Sequence, residues 1–587
     1  MNDHLREQQI AQAEEMLGEH LEKRGFVKEL YFGRYREELL PPYPDVDRLV
    51  PERVSELQAF LDERVDPVAI DREARIPDDV VRGLGKLGVL GACLPKWCGG
   101  LELSQREYCR LLETLGAHCA GTALFVNAHH SIGPRALVLF GTQQQQERWL
   151  PKLATGEWIS AFALTEPEAG SDAGNVQSTA VPSEDGTHYV LSGEKRWITN
   201  GGIATVLTVM ARTPVPGRSE TAVTAFVVTR DMPGFEVVEE RMEKCGVRGT
   251  VTSRLAFHDV RVPVENILGR LGKGLRVALT VLDFGRTTFG ATCTGVAKQC
   301  VAYAARHAAR RVQFGQPLGS FELVKEKLAY LAGTAYAIEA CTYQTAAFID
   351  AGESDFMLET AILKVFATEH LWRMIYDTFQ IHGGLAYFTD QPFERMMRDA
   401  RINTIGEGAN EVLRAFIALA GMRDVGLELE AVLNGLLKPV TGLGVVSRFA
   451  ARRIGSTLTL PAILPQSAVL EPEALRLARR LREFGHRVES LLRKHQMEIV
   501  DRQYQLGRVA DAVSDIYASV CVLRRLDAML QNHHLDERRM HRQLTTGRYF
   551  LKQADRRIRH HFRTMKSNID ADTTELADQV LRTQGAM

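Results

Sequence analysis

The chain has 587 residues, of which 45% are hydrophobic and 25% are charged, and its 72 basic residues nearly balance 73 acidic ones. A chain of this length is typical of several domains, and the composition is that of an ordinary soluble globular protein. The formal charge of −1 gives no general reason to expect a nucleic-acid partner. No stretch approaches the ~20 apolar residues of a membrane-spanning helix.

The N-terminus and the cysteines indicate the compartment. The first 24 residues mix acidic and basic side chains and contain no apolar core of a signal peptide. We therefore expect neither a secretory signal nor a transit peptide, and a cytoplasmic protein, most simply a bacterial one. The nine cysteines are scattered singly, without CxxC or metal-ligand spacing, which predicts buried, reduced thiols and no metal site.

The hydrophobic periodicity changes along the chain and predicts a mainly α protein with a central β domain. An N-terminal helical extension (1–50) precedes a helical domain (51–158), in which apolar residues recur at spacings of three and four. Residues 159–269 place β-branched and aromatic residues between Gly, Asn and Pro breaks, which predicts a β domain. Long helical patterns in 270–425 predict a bundle, and a stretch rich in Gly and Pro leads into a last helical domain, 426–587.

The C-terminal block differs from the rest in charge. Residues 441–587 carry 25 Lys and Arg against 16 Asp and Glu, a net charge of +9, so the preceding residues carry −10. A basic helical block is suited to contact with an anionic membrane surface, but it is also compatible with an ordinary solvated packing domain. The residues alone favour the packing domain.

Two stretches of the predicted β domain carry the clearest local chemistry. "FALTEPEAGSDAGN" (162–175) ends in a loop rich in Gly and hydroxyl residues, whose backbone N–H groups could hold a flat polar ring or a phosphate. "GEKRWITNGG" (193–202) offers the aromatic face of Trp197 beside Thr199 and Asn200. Two ordinary β turns would give the same patterns.

A single acid stands out near the end of the predicted bundle. "RINTIGEGANEV" (401–412) places Glu407 between Gly406 and Gly408, directly before a predicted helix. From these residues alone, a solvated surface acid is the simplest interpretation.

Further motifs occur in a fixed order around these stretches. They are "DVRVPVENILG" (259–269), "RRVQFGQPLGSFELVKEKLA" (310–329), "QIHGG" (380–384) and "FERMMRDARINTIGEGANEVLR" (393–414). Together the motifs resemble the acyl-CoA dehydrogenase family, from about Tyr43 to Met422. The resemblance implies a helical N-terminal domain, a β-barrel-like middle domain and a helical bundle. "YPDVD", "NAHHSIG" and the basic tail are similar to the very-long-chain branch, which has an extra C-terminal helical domain.

The resemblance implies an activity and its partners. These are FAD-dependent α,β-dehydrogenation of long-chain acyl-CoA to trans-2-enoyl-CoA in fatty-acid β-oxidation, and transfer of electrons to an electron-transfer flavoprotein. A homodimer is implied, as is peripheral membrane contact through the C-terminal domain, which would be at the inner membrane of a bacterium. Two alternatives stay open. An acyl-CoA oxidase or flavin monooxygenase would be recognised by rapid reoxidation of its reduced flavin in air. An assembly factor with residual dehydrogenase activity is the other, and the intact Glu407 argues against a complete loss of catalysis.

Glu407 takes the role of general base in this resemblance. A carboxylate must be held against the α-carbon of the thioester while the β-hydride leaves on the other side. Gly406 and Gly408 let the backbone pass close to the substrate. In the family, the N–H of the base residue and a ribityl hydroxyl of the flavin bind the thioester carbonyl. Exclusion of water should raise the pKa of the base toward the working range.

The resemblance also implies contacts with FAD and substrate. The loop from Phe162 to Ser171 would meet the edge of the flavin ring, and the Trp197 segment would cover another face of the ring. The "RVQF" and "QIHGG" segments of a neighbouring subunit would meet adenine and pyrophosphate, which requires an oligomer. The implied FAD contacts are Phe162, Leu164, Thr165, Gly170, Ser171, Trp197, Ile198, Thr199, Arg311, Gln313, Phe314, Gln380, Ile381, Gly383, Gly384, Ala409, Asn410 and Glu411. The implied substrate contacts are Ser171, Asp283, Arg286, Gly408, Ala123 and Asn127.

Several residues depart from the pattern of the family. Ala409 stands where relatives carry Thr, and Ala386 replaces a usual glycine. Ala123 and Asn127 align with positions where very-long-chain members keep glycines that deepen the acyl pocket, so the preferred chain length stays open. Gly285 occupies the position at which other branches place their base, which fits with Glu407 as the sole base.

Overall fold

The computed structural model describes residues 24–436, 459–532 and 536–585. These residues form two compact units. The first runs from Pro41 to Asn410, and the second joins Arg24–Leu40 to the residues from Glu411 onward.

The domain boundaries expected from the sequence can be set beside these units. A single helix, Asn410–Leu436, runs without interruption across the expected boundary at residue 425. Much of the expected N-terminal extension, residues 1–23, lies outside the described residues, as does most of the Gly- and Pro-rich stretch, 437–458.

Short helices build the N-terminal helical domain of the first unit. The first helix of the chain, α1 (Phe26–Tyr31), belongs to the second unit. The helices of the N-terminal domain are α2 (Pro51–Arg64), α3 (Pro67–Glu73), α4 (Asp78–Lys86), α5 (Gln105–His118), α6 (Ala120–His130), α7 (Pro134–Phe140) and α8 (Gln143–Thr155). Capping boxes begin two of them, because Ser104 and Glu107 satisfy the first turn of α5 and Thr142 and Gln145 that of α8. Apolar faces of α2, α4, α5 and α6 meet in one core.

One twisted sheet forms the middle domain. Its strands are β1 (Ser160–Ala163), β2 (Thr179–Pro182), β3 (His188–Thr199), β4 (Val206–Thr213), β5 (Ala222–Thr229), β6 (Phe235–Glu239), β7 (Thr252–Pro263) and β8 (Ile267–Leu268). The strand order is β6-β7-β3-β2-β4-β5-β8, with β1 parallel to β4. The pairing of β3 with β7 shifts register between Lys195 and Ile198, and such a bulge redirects the side chains that it carries.

Long helices form the bundle of the first unit. They are α9 (Gly274–Arg310), α10 (Glu322–Asp350), α11 (Met357–His382) and α12 (Phe393–Arg401), and the two-residue strands β9 (Val312–Gln313) and β10 (Gln316–Pro317) join α9 to α10. The next helix, α13 (Asn410–Leu436), begins at the last residue of the first unit and belongs to the second unit from Glu411 onward. Helix α9 packs against α5, α10 and α11 and is buried along most of its length. Small residues permit this, because a Cβ at Gly295 would lie 2.0 Å from the carbonyl oxygen of Glu113 on α5.

The second unit contains the C-terminal helices. Its remaining helices are α14 (Glu471–His495), α15 (Gln503–Leu530), α16 (Glu537–Lys566) and α17 (Asp570–Gln584). Helix α15 is the buried centre, and ion pairs such as Arg557–Asp515 at 2.6 Å attach α16 to it. The outer face of α16 exposes a run of cations, namely Arg538, Arg542, Lys552, Arg556, Arg559, Arg563 and Lys566.

Together these elements confirm the predicted fold class, mainly α with one central β domain. No helix in the described ranges is both long enough and apolar enough to span a membrane. All nine cysteines are free, and seven are buried as expected, whereas Cys93 is half-buried and Cys245 is exposed.

Candidate active site

The Glu407 loop lies in the bundle between α12 and α13. Glu407 has a left-handed backbone with φ of +59°, and Gly408 follows with φ of +96°. Two cations hold this backbone from two different helices. Lys364 Nζ on α11 donates to the carbonyl oxygen of Gly408 at 2.6 Å, and Arg286 Nε on α9 donates to that of Glu407 at 3.3 Å. A left-handed conformation is costly for a residue with a Cβ, and such strain concentrates at functional sites.

The Glu407 carboxylate, unlike the backbone, has an oxygen without a hydrogen bond in the described part of the chain. Its Oε2 is buried and accepts no hydrogen bond from any residue that the structure describes. Burial raises the pKa of this carboxyl to about 7, against the opposing charges of Arg286 and Lys364. A carboxylate that exchanges protons near neutral pH is suited to general-base chemistry.

Gly285 on α9 faces this carboxylate. A Cβ at residue 285 would lie 2.9 Å from Oε2 and 3.2 Å from Cδ of Glu407. The structure therefore brings together the two positions that the sequence comparison treats as alternative places for the base. Because Gly285 has no side chain, the space between the two positions is filled by the Glu407 carboxylate.

Asp283 and Arg286, expected to contact the substrate, are tied to protein partners. Arg286 Nη1 donates to Asp283 Oδ1 at 2.9 Å, and Thr360 Oγ1 donates to the same oxygen at 2.8 Å. Burial raises the pKa of Asp283 to about 6, and the Arg286 charge opposes this rise. The pair thus fixes the guanidinium that holds the backbone of Glu407.

Lys364 is a site residue that the sequence analysis missed. Besides Gly408 it donates to Asn410 Oδ1 at 2.8 Å, and Asn410 Nδ2 donates to Thr368 Oγ1 at 3.0 Å. Burial lowers the pKa of Lys364 to about 8, and the Arg286 charge lowers it further. Asn410, expected at FAD, is therefore committed to the protein. A signal existed, because Thr360, Lys364 and Thr368 form a polar stripe at spacings of four along one face of this helix.

The two β-domain motifs are joined by a buried ion pair. Lys195 Nζ donates to Glu166 Oε1 at 2.6 Å and to the carbonyl oxygen of Leu164 at 3.1 Å. The backbone N–H of Arg196 donates to the carbonyl oxygen of Thr165 at 3.0 Å. Burial lowers the pKa of Lys195 to about 8, although the Glu166 charge opposes this. The sequence analysis did not identify either member of this pair.

The residues expected around the flavin ring fall into two groups. Trp197, in the bulge of β3 with φ of +58°, is 51% exposed, and Gly170 and Ser171 are exposed in the adjoining loop. Phe162 and Leu164, in contrast, are buried in the core of the sheet, as is Ile198, so their side chains support the loops from below. Thr165 and Thr199 are half-buried, as is Ala409, and Glu411 is exposed.

The two motifs expected at adenine and pyrophosphate form another exposed region. The rings of His307 and His382 lie with centroids 4.3 Å apart, which brings the end of α11 to the end of α9. Phe314 is 94% exposed, and Arg311, Gln313, Gln380, Gly383 and Gly384 are exposed around it, whereas Ile381 is buried. A Cβ at Gly383 or Gly384 would meet no atom within 4 Å. The backbone there is open to close approach by a ligand.

A partly open cavity runs beside α9. Its wall includes Asn127 and Leu124 on α6, and Phe289 and Thr292 on α9, one and two turns beyond Gly285. The structure does not bring Ala123 to this cavity, because its side chain is fully buried in the core of the helical domain. Of the two residues expected in the acyl pocket, Asn127 alone lines the cavity.

Comparison with known proteins identifies the family in which these sites occur. Family models describing the N-terminal, middle and C-terminal domains of acyl-CoA dehydrogenases match residues 52–157, 161–260 and 272–422, and the ACAD9/ACADV C-terminal domain matches 468–586. The chain belongs to the acyl-CoA dehydrogenase family. It is 36% identical over 562 residues to the very long-chain specific acyl-CoA dehydrogenase of Rattus norvegicus mitochondria, covering 93% of this chain and 85% of that protein.

Solved structures extend the comparison. The crystal structure of an acyl-CoA dehydrogenase complexed with FAD from Bacillus anthracis matches with a TM-score of 0.78 and 28% identity over 94% of each chain. A structure of the electron transferring flavoprotein of Acidaminococcus fermentans matches with a TM-score of 0.58 and 32% identity, over 63% of this chain and 97% of that one. The predicted fold and FAD-dependent acyl-CoA dehydrogenation in β-oxidation are thereby confirmed.

The residues of this dehydrogenase fit FAD. Trp197 offers an exposed aromatic face, and the loop around Gly170 has open space, since a Cβ there would meet no atom within 4 Å. The exposed glycines 383 and 384 provide the second open stretch of backbone. An aromatic face and bare backbone donors are what an isoalloxazine ring and a pyrophosphate require.

Proposed function

We propose that this acyl-CoA dehydrogenase oxidises long-chain acyl-CoA with Glu407 as its base and passes the electrons to an electron-transferring flavoprotein. The observation that carries the proposal is the buried Oε2 of Glu407, which lacks a hydrogen bond within the described chain and faces Gly285. A carboxylate that is tied to protein partners is a poor acceptor for a substrate proton, whereas Oε2 of Glu407 has no such partner among the described residues and the nearby cations hold the adjoining backbone.

Each residue of the loop then has a distinct task. Glu407 takes the α-proton at its carboxylate, since burial gives that group a pKa of about 7. Arg286 and Lys364 keep the loop in place through the carbonyl oxygens of Glu407 and Gly408 and favour the ionised base by their charge. FAD, when bound, supplies the acceptor for the β-hydride. The half-buried loop excludes bulk water once an acyl chain covers it.

The cavity beside α9 supports a long acyl chain. Its lining includes Phe289, Thr292, Val296, Gln299 and Tyr303, which recur at helical spacing along one face of α9. From Gly285 to Tyr303 the helix rises about 27 Å. An acyl chain that starts at the Glu407 carboxylate and follows this face of α9 would lie along these side chains for several helical turns.

A panel of acyl-CoAs tests the proposal. Saturated chains from butyryl-CoA to very long acyl-CoA are assayed anaerobically with an artificial acceptor, and we expect the highest kcat/KM for long chains. Asn127→Gly should move the optimum to longer chains, because each additional buried methylene contributes ~0.8 kcal/mol. Ala123→Gly is the matched control and should leave the profile unchanged. An optimum at butyryl-CoA in the wild type would contradict the proposal.

The acceptor and the oligomeric state are tested separately. The family and its electron transferring flavoprotein relative support that acceptor, and the exposed region around Phe314 and Gly383 supports a dimer that shares FAD. We expect a dimeric mass in solution and slow reoxidation of reduced flavin by air but fast reoxidation by electron-transferring flavoprotein. Fast oxidation by air would favour the acyl-CoA oxidase alternative, and a monomer that retains FAD would exclude the shared site.

The basic outer face of α16 supports peripheral contact with an anionic membrane, and we propose a cytoplasmic protein that binds the inner membrane in this way. Arg542, Arg556 and Arg563 lie seven residues or a multiple apart and are exposed. Attraction to an anionic surface is worth ~1 kcal/mol per nearby cation and fades with salt. Replacing all three with Gln should weaken flotation with anionic vesicles, with neutral vesicles as the control. Equal flotation of both proteins would refute this contact.

A further inference from the structure

A buried polar cluster lies along α9 between Gly285, which faces Glu407, and the cavity-lining Phe289. Thr288, three residues after Gly285, hydrogen-bonds through Oγ1 to the side chain of Asn127 and lies 3.3 Å from Ser131 Oγ. Ser131 in turn lies 3.3 Å from the hydroxyl of Tyr108. All four residues are buried. An acyl chain that enters the cavity from Glu407 must therefore pass a polar wall rather than a purely apolar one.

Asn127 presents an unused polar atom at this wall. The residue is only 2% exposed and lines the cavity, yet its Nδ2 donates to no partner in the part of the chain that the structure describes. The hydroxyl of Thr288 also lies 2.8 Å from the carbonyl oxygen of Gly285. If that hydroxyl donates to Gly285 instead, the amide turns and its oxygen becomes the unused atom. In either orientation Thr288 pairs with one end of the amide and the other end faces the cavity.

The unused amide atom discriminates among acyl chains. Water can satisfy it while the cavity is empty of substrate. A saturated alkyl chain displaces that water and replaces none of its hydrogen bonds, which leaves a buried polar atom unsatisfied. An acyl chain with a hydroxyl group at this point restores the hydrogen bond, since a hydroxyl both donates and accepts.

We propose that the preferred substrates are long-chain acyl-CoAs that carry an oxygen function, a hydroxyl group, on the part of the chain that passes Asn127. The inference rests on the proposed long-chain function and adds the chemical class of the chain. Thr288 lies about 4.5 Å beyond Gly285 along α9, which corresponds to only a few methylene groups, so the oxygen belongs to the part of the chain just beyond the reacting carbons.

Other polar side chains of the cavity wall are consistent with an oxygenated chain. Besides Asn127 the wall includes Gln299, Arg395 and Asn403. The structure gives Arg395 no ion pair within the described chain, although it lies near enough to Asp399 to lower the pKa of that carboxyl, which burial otherwise raises to about 6. A tunnel selected for plain alkyl chains alone would gain from apolar residues at these positions.

The test compares chains of one length. Unsubstituted acyl-CoA and a series with one hydroxyl at successive positions, from just beyond the reacting carbons to the terminal carbon, are assayed with wild-type holoenzyme, Asn127→Leu, Asn127→Ala and the control Ala123→Gly. For at least one hydroxyl position we expect the wild-type ratio of kcat/KM, hydroxylated over unsubstituted, to be about tenfold. Both Asn127 variants should reduce that ratio toward one, and Ala123→Gly should keep it.

Three results would overturn the inference. If the wild type uses the unsubstituted chain as well as or better than every hydroxylated one, the long-chain function stands and the oxygen preference fails. If the preference persists in both Asn127 variants, the discrimination resides elsewhere. If the wild type turns over no long chain at all but uses butyryl-CoA, the proposed function fails and the inference with it.

Discussion

Two glutamates, one in the β domain and one in the bundle, differ in the hydrogen bonds and the pKa of their carboxylates. Glu166 accepts hydrogen bonds from Lys195, from the backbone of Gln177 and from both the backbone and the hydroxyl of Ser178. The Oε2 of Glu407 accepts none from the described residues. Burial alone would raise the pKa of Glu166, but Lys195 and these hydrogen bonds hold it below its usual value. The pKa of Glu407, in contrast, rises to about 7.

Each glutamate has a buried lysine nearby, and the contact that the lysine makes decides the difference. Lys195 touches the Glu166 carboxylate, while Lys364 touches the carbonyl oxygen of Gly408, beside Glu407. Burial lowers the pKa of both lysines to about 8. A lysine that binds the carboxylate makes it a structural element. A lysine that binds the adjoining backbone fixes the loop and leaves the carboxylate free to react.

The largest expected effect comes from removing the free carboxylate. Glu407→Gln should lower kcat by roughly 10³-fold or more, because the amide cannot accept the α-proton. The protein should stay yellow, since the amide keeps the shape of the loop. Flavin reduction by acyl-CoA in a stopped-flow experiment measures the effect. Reduction at the wild-type rate would end the assignment of Glu407 as base.

Moving the carboxylate across the chamber sharpens the comparison further. Glu407→Gly should be nearly inactive, and adding Gly285→Glu should restore part of the rate, because a Cβ at 285 starts 2.9 Å from the present position of Oε2. We expect the double variant to remain roughly 100-fold below wild type, since a misplacement of about 1 Å is that costly. Exchange of the α-proton is the readout. No gain over the single variant, with FAD and acyl-CoA both bound, would show that the two positions do not serve one carbon.

Glu166→Gln is the matched change at the structural glutamate. It leaves Lys195 buried without its counter-ion, which should cost roughly 3 kcal/mol of unfolding free energy. Activity per bound flavin should stay near wild type, because Glu166 touches the loops and not the reacting atoms. Thermal unfolding and flavin content check the two statements. A stable variant with a lowered rate per flavin would reverse the roles given to the two acids.

Lys364→Met tests whether a lysine acts on the base through charge. Lys364 lowers the pKa of Glu407, so its loss should move the acidic limb of the kcat/KM profile to higher pH, by up to about one unit. The rate should fall several-fold at pH 6.5 and approach wild type at high pH. Lys195→Met serves as the control and should leave the limb in place. An unmoved limb in Lys364→Met would confine that lysine to a mechanical role.

The smallest effect concerns stability and pH. The folded pKa of Glu407 lies above its ordinary value of 4.5, so the native state favours the neutral form, and the stability from this group is lost as the pH rises through about 7. Glu407→Gln avoids that loss. The Tm of the variant relative to wild type should therefore increase from pH 5 to pH 9. A constant difference would mean that the carboxyl titrates alike in the folded and unfolded chain.

The sequence predicted the order of the domains and the base, because helical and strand periodicity and the "IGEGAN" motif are local signals. It did not predict the lysines that separate the two glutamates. Lys195 lies in a strand pattern, where a charged residue usually faces solvent. In the structure Lys195 lies at a bulge of β3, and its side chain is buried. Lys364 bonds to a carbonyl 44 residues later, a partner that no local pattern reveals.

Helix α6 shows why Ala123 and Asn127 could not be told apart from sequence. The two residues are four apart and lie on the same face of the helix, so hydrophobic periodicity cannot separate them. In the structure Ala123 faces the core of the helical domain, and Asn127, one turn later, faces the cavity and Thr288. The hydrogen bond between the Asn127 amide and Thr288, which distinguishes Asn127 from Ala123, cannot be read from the hydrophobic pattern.

The left-handed backbone at Glu407 has an evolutionary consequence. A residue with a side chain pays about 1 kcal/mol for a φ of +59°, a cost that glycine escapes. Mutation of Glu407 to Gly is therefore expected to leave the protein at least as well folded while it removes the chemistry. Selection for a stable fold alone would not preserve the base, so a descendant that kept this architecture for another purpose could lose catalysis in one step without any sign in its abundance.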